Sequence, residues 1–279
     1  MDLNRKQIQY FGRTLYSIAM GGIAIQQWCN GDFVNLISAM WPSHFPGYQI
    51  LVYIFSAGLL AVAIMTLIRW PVKKLLIALG IVLFFLILIS QIPFLYMVLP
   101  YKKTHLGVWA YVLKESALAG GAFVAARTDD HSPAEKPGTP DKLSLAGAFF
   151  FALTMFCFGR AHFLYADATA TLVPAWIPGA LFWVYFTGTS LMAAALCIVF
   201  RVKVFPASFI LGCMIFIWFW IIHLPNALHH VLENQGNEIS AALSALAFSG
   251  IAFMISGLYP YRLPESRAFI ERKEAYGTQ

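Results

Sequence analysis

From Leu75 to Tyr96 the chain runs for 22 residues without a charge. As a helix, that length crosses the roughly 30 Å of hydrocarbon in a bilayer. Runs of this kind recur, and eight helices are read near residues 10–29, 48–68, 75–96, 105–126, 143–166, 180–200, 204–224 and 239–259. Apolar residues make up 59% of the chain and charged residues 11%, the reverse of a soluble surface. The fold class expected is therefore an all-α polytopic membrane protein.

A second pattern divides the spans into two sets. Val173-Pro174-Ala175-Trp176-Ile177-Pro178-Gly179 has a degenerate counterpart 132 residues earlier, Trp41-Pro42-Ser43-His44-Phe45-Pro46-Gly47. Residues 41–64 and 173–196 share 8 of 24 positions without a gap, and the same offset carries Pro93 onto Pro225. This predicts two four-helix repeats, at 1–126 and 143–259. An even number of spans per repeat makes them parallel, related by an axis along the membrane normal. Residues 127–142, polar and proline-rich, read as a cytoplasmic linker, and residues 260–279 as a cytoplasmic tail.

Orientation follows from Lys and Arg. Of 19 basic residues, 15 fall on the side that holds both termini, the linker and the turns near 69–74 and 201–203. That side is expected to be cytoplasmic. The net charge of +6 is concentrated there, where anionic lipid accounts for it without nucleic acid. No cleavable signal peptide is expected, because Gln26, Gln27 and Trp28 stand where small residues would be needed. The four cysteines show no paired spacing, which argues against a disulfide framework or a zinc knuckle.

Chemistry is expected at the external face. The long loops 30–47 and 163–179 each end in a Pro-x-x-x-Pro-Gly turn. They read either as caps on the bundle or as interfacial segments anchored by Trp41 and Trp176. His162 lies near the outer end of one span and His223 near the outer end of another. At the 132-residue offset their counterparts are Asn30 and Gln91, amides in place of imidazoles. Ionisable groups in a span tend to face the bundle interior and mark function, and imidazole moves protons near neutral pH. The alternative for each histidine is an interfacial residue bonded to a carbonyl.

Arg160 needs a partner, water or headgroups at that depth, and Asp167 lies two helical turns further on. The two read either as an ion pair or as an anion-binding element. His223, His229 and Glu233, with His229 and Glu233 spaced i, i+4, read either as a zinc or iron set or, since the spacing matches no sharp motif, as part of a solvated outer loop. Glu115, beside Lys114 in the fourth span, is a candidate proton-relay residue or an internal hydrogen-bonding group. Gly120, Gly121 and Gly188 read as sites of close helix contact.

The residues His162-Phe163-Leu164-Tyr165-Ala166-Asp167, then Leu172 through Gly179, then Phe182-Trp183-Val184-Tyr185-Phe186-Thr187-Gly188, resemble the bacterial DoxX-like membrane proteins. The resemblance covers residues 143–259, and only the internal repeat extends it to 10–126. Members of that family are usually single four-helix units, so the chain looks like a fused tandem pair. The resemblance implies residence in the bacterial inner membrane. Relatives include a membrane subunit of thiosulfate:quinone oxidoreductase and a partner in a thiol-oxidant detoxification complex, but fold-level analogy does not establish function.

Three functions follow as expectations. In the first, His162 and His223 hydrogen-bond or protonate a quinone near the external interface and Arg160 stabilises developing negative charge. Asp167, Trp176, Tyr185 and Glu115 are then candidate cofactor-contacting residues, and a soluble redox protein is the expected partner. In the second, the two histidines are axial ligands of a haem. In the third, the protein is a non-enzymatic lipid-binding, transport or scaffolding component whose partners are membrane lipids.

Overall fold

A computed structural model describes residues 2–39, 46–97, 105–128, 140–231 and 236–259, and within these residues all regular structure is helical. Backbone polar groups in hydrocarbon must be satisfied within the protein, and helices do this segment by segment. The helices are α1 (Asp2–Asn30), α2 (Tyr48–Leu67), α3 (Lys73–Leu86), α4 (Ile92–Met97), α5 (Ala110–Arg127), α6 (Lys142–Leu164), α7 (Ala166–Ala170), α8 (Ala180–Val199), α9 (Val204–Trp218), α10 (Leu224–His229) and α11 (Asn237–Leu258). Six stretches are long and apolar enough to cross a membrane: 48–67, 73–97, 142–164, 180–199, 204–229 and 237–258. The chain is a multi-pass integral membrane protein.

The remaining two long helices, α1 and α5, do not meet that test of length and hydropathy. Burial explains α5. Twelve of its 18 residues are buried, so it needs no lipid-compatible surface and can carry Lys114 and Glu115. Its counterpart in burial is α11, with 17 of 22 residues buried. The outer helices α2, α3, α8 and α9 instead expose large apolar side chains such as Ile54, Phe85, Phe182 and Ile210.

Several boundaries differ from the sequence expectation, among them the start of α1 at Asp2 rather than near 10 and of α5 at Ala110 rather than near 105. The seventh span runs past 224 to His229, while the third is described to Met97, within one residue of its expected end. Each passes through one π turn, Ile87–Gln91 and Phe219–His223, and continues as α4 and α10. Pro93 and Pro225 follow two residues after these turns. A proline ring collides with the carbonyl four residues back, and the wider π turn just before it relieves that collision without ending the helix. The sixth helix closes at Leu164, and the chain then makes the separate short helix α7.

Several elements stand 132 residues apart. The α2 and α8 helices start at 48 and 180 and end at 67 and 199; the two π turns, and α4 with α10, keep the same offset. Gly47 (φ 90°) and Gly179 (φ 72°) cap α2 and α8 in the left-handed region, where a residue without Cβ is unstrained. Arg69 (φ 62°) and Arg201 (φ 57°) adopt the same region at the turns that follow, again 132 apart.

Packing crosses between the two halves of the chain. The α1 helix lies chiefly on α11, and α5 lies on α6. Both crossings rest on glycine pairs: a Cβ on Gly12 would sit 2.5 Å from the Gly250 carbonyl oxygen, and one on Gly120 2.5 Å from that of Gly147. Such small residues let backbones approach closely where lipid offers no hydrophobic drive. Buried hydrogen bonds add direction. Tyr16 donates to the Leu118 carbonyl at 2.8 Å, joining α1 to α5, and Thr154 donates to the Leu113 carbonyl at 2.8 Å, joining α6 to α5.

Candidate functional site

A cavity of about 290 Å³ opens between α6, α8, α9 and α11, running from the end where α6 closes toward the bundle middle. Most of its wall is apolar, including Met155, Trp183, Leu191 and Trp218. Its polar groups are Lys114, His162, Tyr165, Thr169, Thr187, His223 and Ser244. Few polar groups in an apolar concavity is the usual composition of a small-molecule site.

Each of these side chains has a local cause. His162 is in the last turn of α6, half-buried, and its Nδ1 is 2.8 Å from the Phe158 carbonyl oxygen. A carbonyl only accepts, so Nδ1 carries the proton and Nε2 is the ring atom left for a ligand. His223 closes the π turn after α9, where the extra residue rotates the helix face. It lies close enough to His162 and Lys114 to feel both electrostatically. Gly188 of α8 packs under His162: a Cβ there would be 2.8 Å from the His162 Cβ and 3.0 Å from the Gly159 carbonyl oxygen. Close approach of α6 and α8 thus fixes the height of the imidazole.

Lys114 reaches the cavity from α5, although the other helices around it belong to the second half of the chain. Tyr165, on the cavity wall after α6, places its hydroxyl 3.3 Å from Nε2 of His105, an exposed residue just before α5. Sequence reasoning singled out neither His105 nor Tyr165 as a site residue, and it treated Lys114 only as the neighbour of Glu115. All three depend on the crossing of α5 onto α6, which no local pattern encodes.

The other expected site residues fall elsewhere. Arg160 and Asp167 are exposed and neither lines the cavity. Among the described residues no ion pair joins them; Arg160 instead exerts its field on Cys157, one turn back in α6. Trp176 is 72% exposed, and Tyr185 faces outward against Phe163 with ring centroids 5.5 Å apart. Neither touches the cavity. His229 is exposed at the end of α10, Glu233 and Trp41 lie outside the described residues, and among the described residues no group of three metal-ligating side chains assembles.

Glu115 is fully buried but not in the cavity wall. It faces Gln91 on the first π turn, and neither carboxyl oxygen has a hydrogen-bond partner. The Gln91 amide donates instead to the Asn35 carbonyl at 2.9 Å. Beside it, Ser38 and Ser90 hydroxyls meet at 2.7 Å. The segment around them is pressed into the bundle, with Val34, Leu36, Ile37 and Ala39 all buried. Across the corresponding residues 163–171 only Ala166 is buried. The face of the first π turn is thus covered by chain where the second opens on a cavity.

Compared with known proteins, the chain matches no family model, no curated protein and no solved structure.

Proposed function

We propose that the cavity binds a lipid-soluble ligand with a carbonyl-bearing ring, of the quinone class, and that the protein is a membrane redox component. The observation that carries this reading is the convergence of His162 and His223 on one largely apolar cavity. A ring of this kind presents flat apolar faces to Trp183, Trp218 and Leu191, and oxygens at its edge. Imidazole N–H groups, in the tautomer or charge state that exposes one, donate to such oxygens and transfer protons to them. Thr187 supplies a further hydroxyl on the same wall.

In this reading α1 and α5 also cross the membrane, giving eight spans in two parallel repeats with both termini cytoplasmic. The 132-residue recurrence of helix ends, π turns and left-handed turns supports the repeat. The basic turns at Arg69–Lys74 and Arg201–Lys203 support the orientation. The resemblance of residues 162–188 to DoxX-like proteins supports a bacterial inner membrane. The first repeat is then the degenerate one, its counterpart of the cavity covered by residues 34–39.

The test uses the tryptophans of the cavity wall. A short-chain quinone titrated into the purified protein quenches Trp183 and Trp218 fluorescence, and a His162→Ala/His223→Ala variant binds roughly 5- to 30-fold more weakly, the worth of one or two hydrogen bonds. The mostly apolar wall also suits a lipid acyl chain. Equal affinity of the wild type and the double variant overturns the quinone reading and favours that one.

A further inference from the structure

Lys114 is the one lysine in the cavity wall. Its ammonium carries three donors and no acceptor. Among the described residues no hydrogen bond and no carboxylate at ion-pair distance meets it. The aromatic ring of Tyr111 is 5.8 Å away, and Glu238, at the start of α11, acts on it only through the field. The other polar groups of the wall are largely engaged with their own helices. Thr169 donates to the Tyr165 carbonyl at 2.8 Å, Ser244 to the Ser240 carbonyl at 2.6 Å, and His162 Nδ1 to the Phe158 carbonyl. The cavity wall therefore carries an ammonium and two imidazoles, with no carboxylate or carboxamide among its lining residues. An ammonium at this depth costs several kcal/mol, typically, unless an anion or good acceptor meets it.

We infer that Lys114 recognises an ionised oxygen on the ligand's head, so that the preferred ligand is an amphipathic acid rather than a neutral amphiphile. The inference rests on the cavity reading above and narrows it. Two sources share this chemistry: a ring carrying an acidic hydroxyl beside its carbonyls, and a long-chain carboxylate. In either case the anionic oxygen meets the Lys114 ammonium and the tail lies along Leu191 and Met214; His162, whose Nδ1 proton is engaged with the Phe158 carbonyl, donates to the anion only as imidazolium. The charged groups facing Lys114 are Glu238, which competes with the ligand for it, and His223, which repels it when protonated.

The experiment pairs each acid with its blocked form. The full-length protein in lipid nanodiscs is titrated with an alkyl-hydroxynaphthoquinone and its methyl ether, and with a long-chain fatty acid and its methyl ester. Quenching of Trp183 and Trp218 is the readout. For at least one pair the ionised member binds about tenfold tighter or more, as a charged hydrogen bond implies. Lys114→Met brings that pair's affinities together, and Lys114→Arg keeps them apart. Unfolding temperatures establish that both variants are folded. Equal binding of acid and blocked form by the wild type overturns the inference, as does a preference that survives in Lys114→Met. If only the fatty acid binds, with a Lys114-dependent preference, the inference stands and the quinone reading falls. If both naphthoquinones bind equally and the fatty acid shows no preference over its ester, the quinone reading stands and the inference falls.

Discussion

Lys114 and Glu115, neighbours on α5, serve different halves of the molecule: the lysine lines the cavity beside His223, while the carboxyl is sealed against Gln91 on the first π turn. One helical step, 100° of rotation, separates an accessible cation from a buried acid. The contrast sets what each can do. Lys114 has room for a ligand. Glu115 has none, and neither of its oxygens finds a hydrogen-bond partner.

An unpartnered buried polar group is destabilising, so its removal is expected to help. Glu115→Leu should raise stability by about 1–3 kcal/mol. Thermal unfolding in detergent reads the change directly. A lower unfolding temperature in the variant would contradict the sealed, unpartnered carboxyl described above.

Gly188 holds α6 and α8 at the distance that sets His162. Gly188→Val adds atoms where the His162 Cβ and the Gly159 carbonyl already stand. Overpacking of this kind costs about 1–3 kcal/mol. Ligand-induced tryptophan quenching should fall together with the unfolding temperature, whereas Gly58→Val, on the open face of α2, should change neither.

The chain segment pressed against the first π turn should be a major source of stability. Leu36→Ala removes a side chain with no solvent exposure and is expected to cost about 2–5 kcal/mol. Leu172→Ala, on the exposed counterpart loop after α7, should stay within about 0.5 kcal/mol. Paired unfolding measurements on the two variants compare the loops, and similar losses would remove the distinction between a covered and an open half.

Topology is open to cysteine labelling in a cysteine-free background. Lys74→Cys and Lys203→Cys should react with a membrane-impermeant maleimide only from the cytoplasmic side. His105→Cys and Thr171→Cys should react only from outside. Labelling of Lys74→Cys and Lys203→Cys from opposite sides would refute parallel repeats.

Much of the scaffold could be read from the chain because its signals are local. The Pro-Gly turn at 178–179 and the apolar run after it place α8 at 180–199, against an expectation of 180–200. The matching turn at 46–47 does the same for α2. His162 and His223 stood out because their counterparts are amides, and both line the cavity. The π turns escaped notice, since nothing in Phe219–His223 differs in composition from ordinary apolar helix. Lys114 escaped for a different reason. Which half it serves depends on α5 packing against α6, a contact decided by Gly120 and Gly147 across the linker. Arg160 and Trp176 looked functional by residue type alone, and helix rotation and loop geometry turn both outward.

The crossing of α1 onto α11 has a consequence for how the protein is made. The face of α1 that carries Gly12 meets the backbone of Gly250, about 240 residues later in the chain. At about 5–20 residues per second, synthesis leaves that face waiting for roughly 10–50 seconds. During that interval α1 exists without the helix it packs against, and its small-residue face meets something other than α11. Of the described helices, α11 is the last to be made, and it closes on the earliest of them.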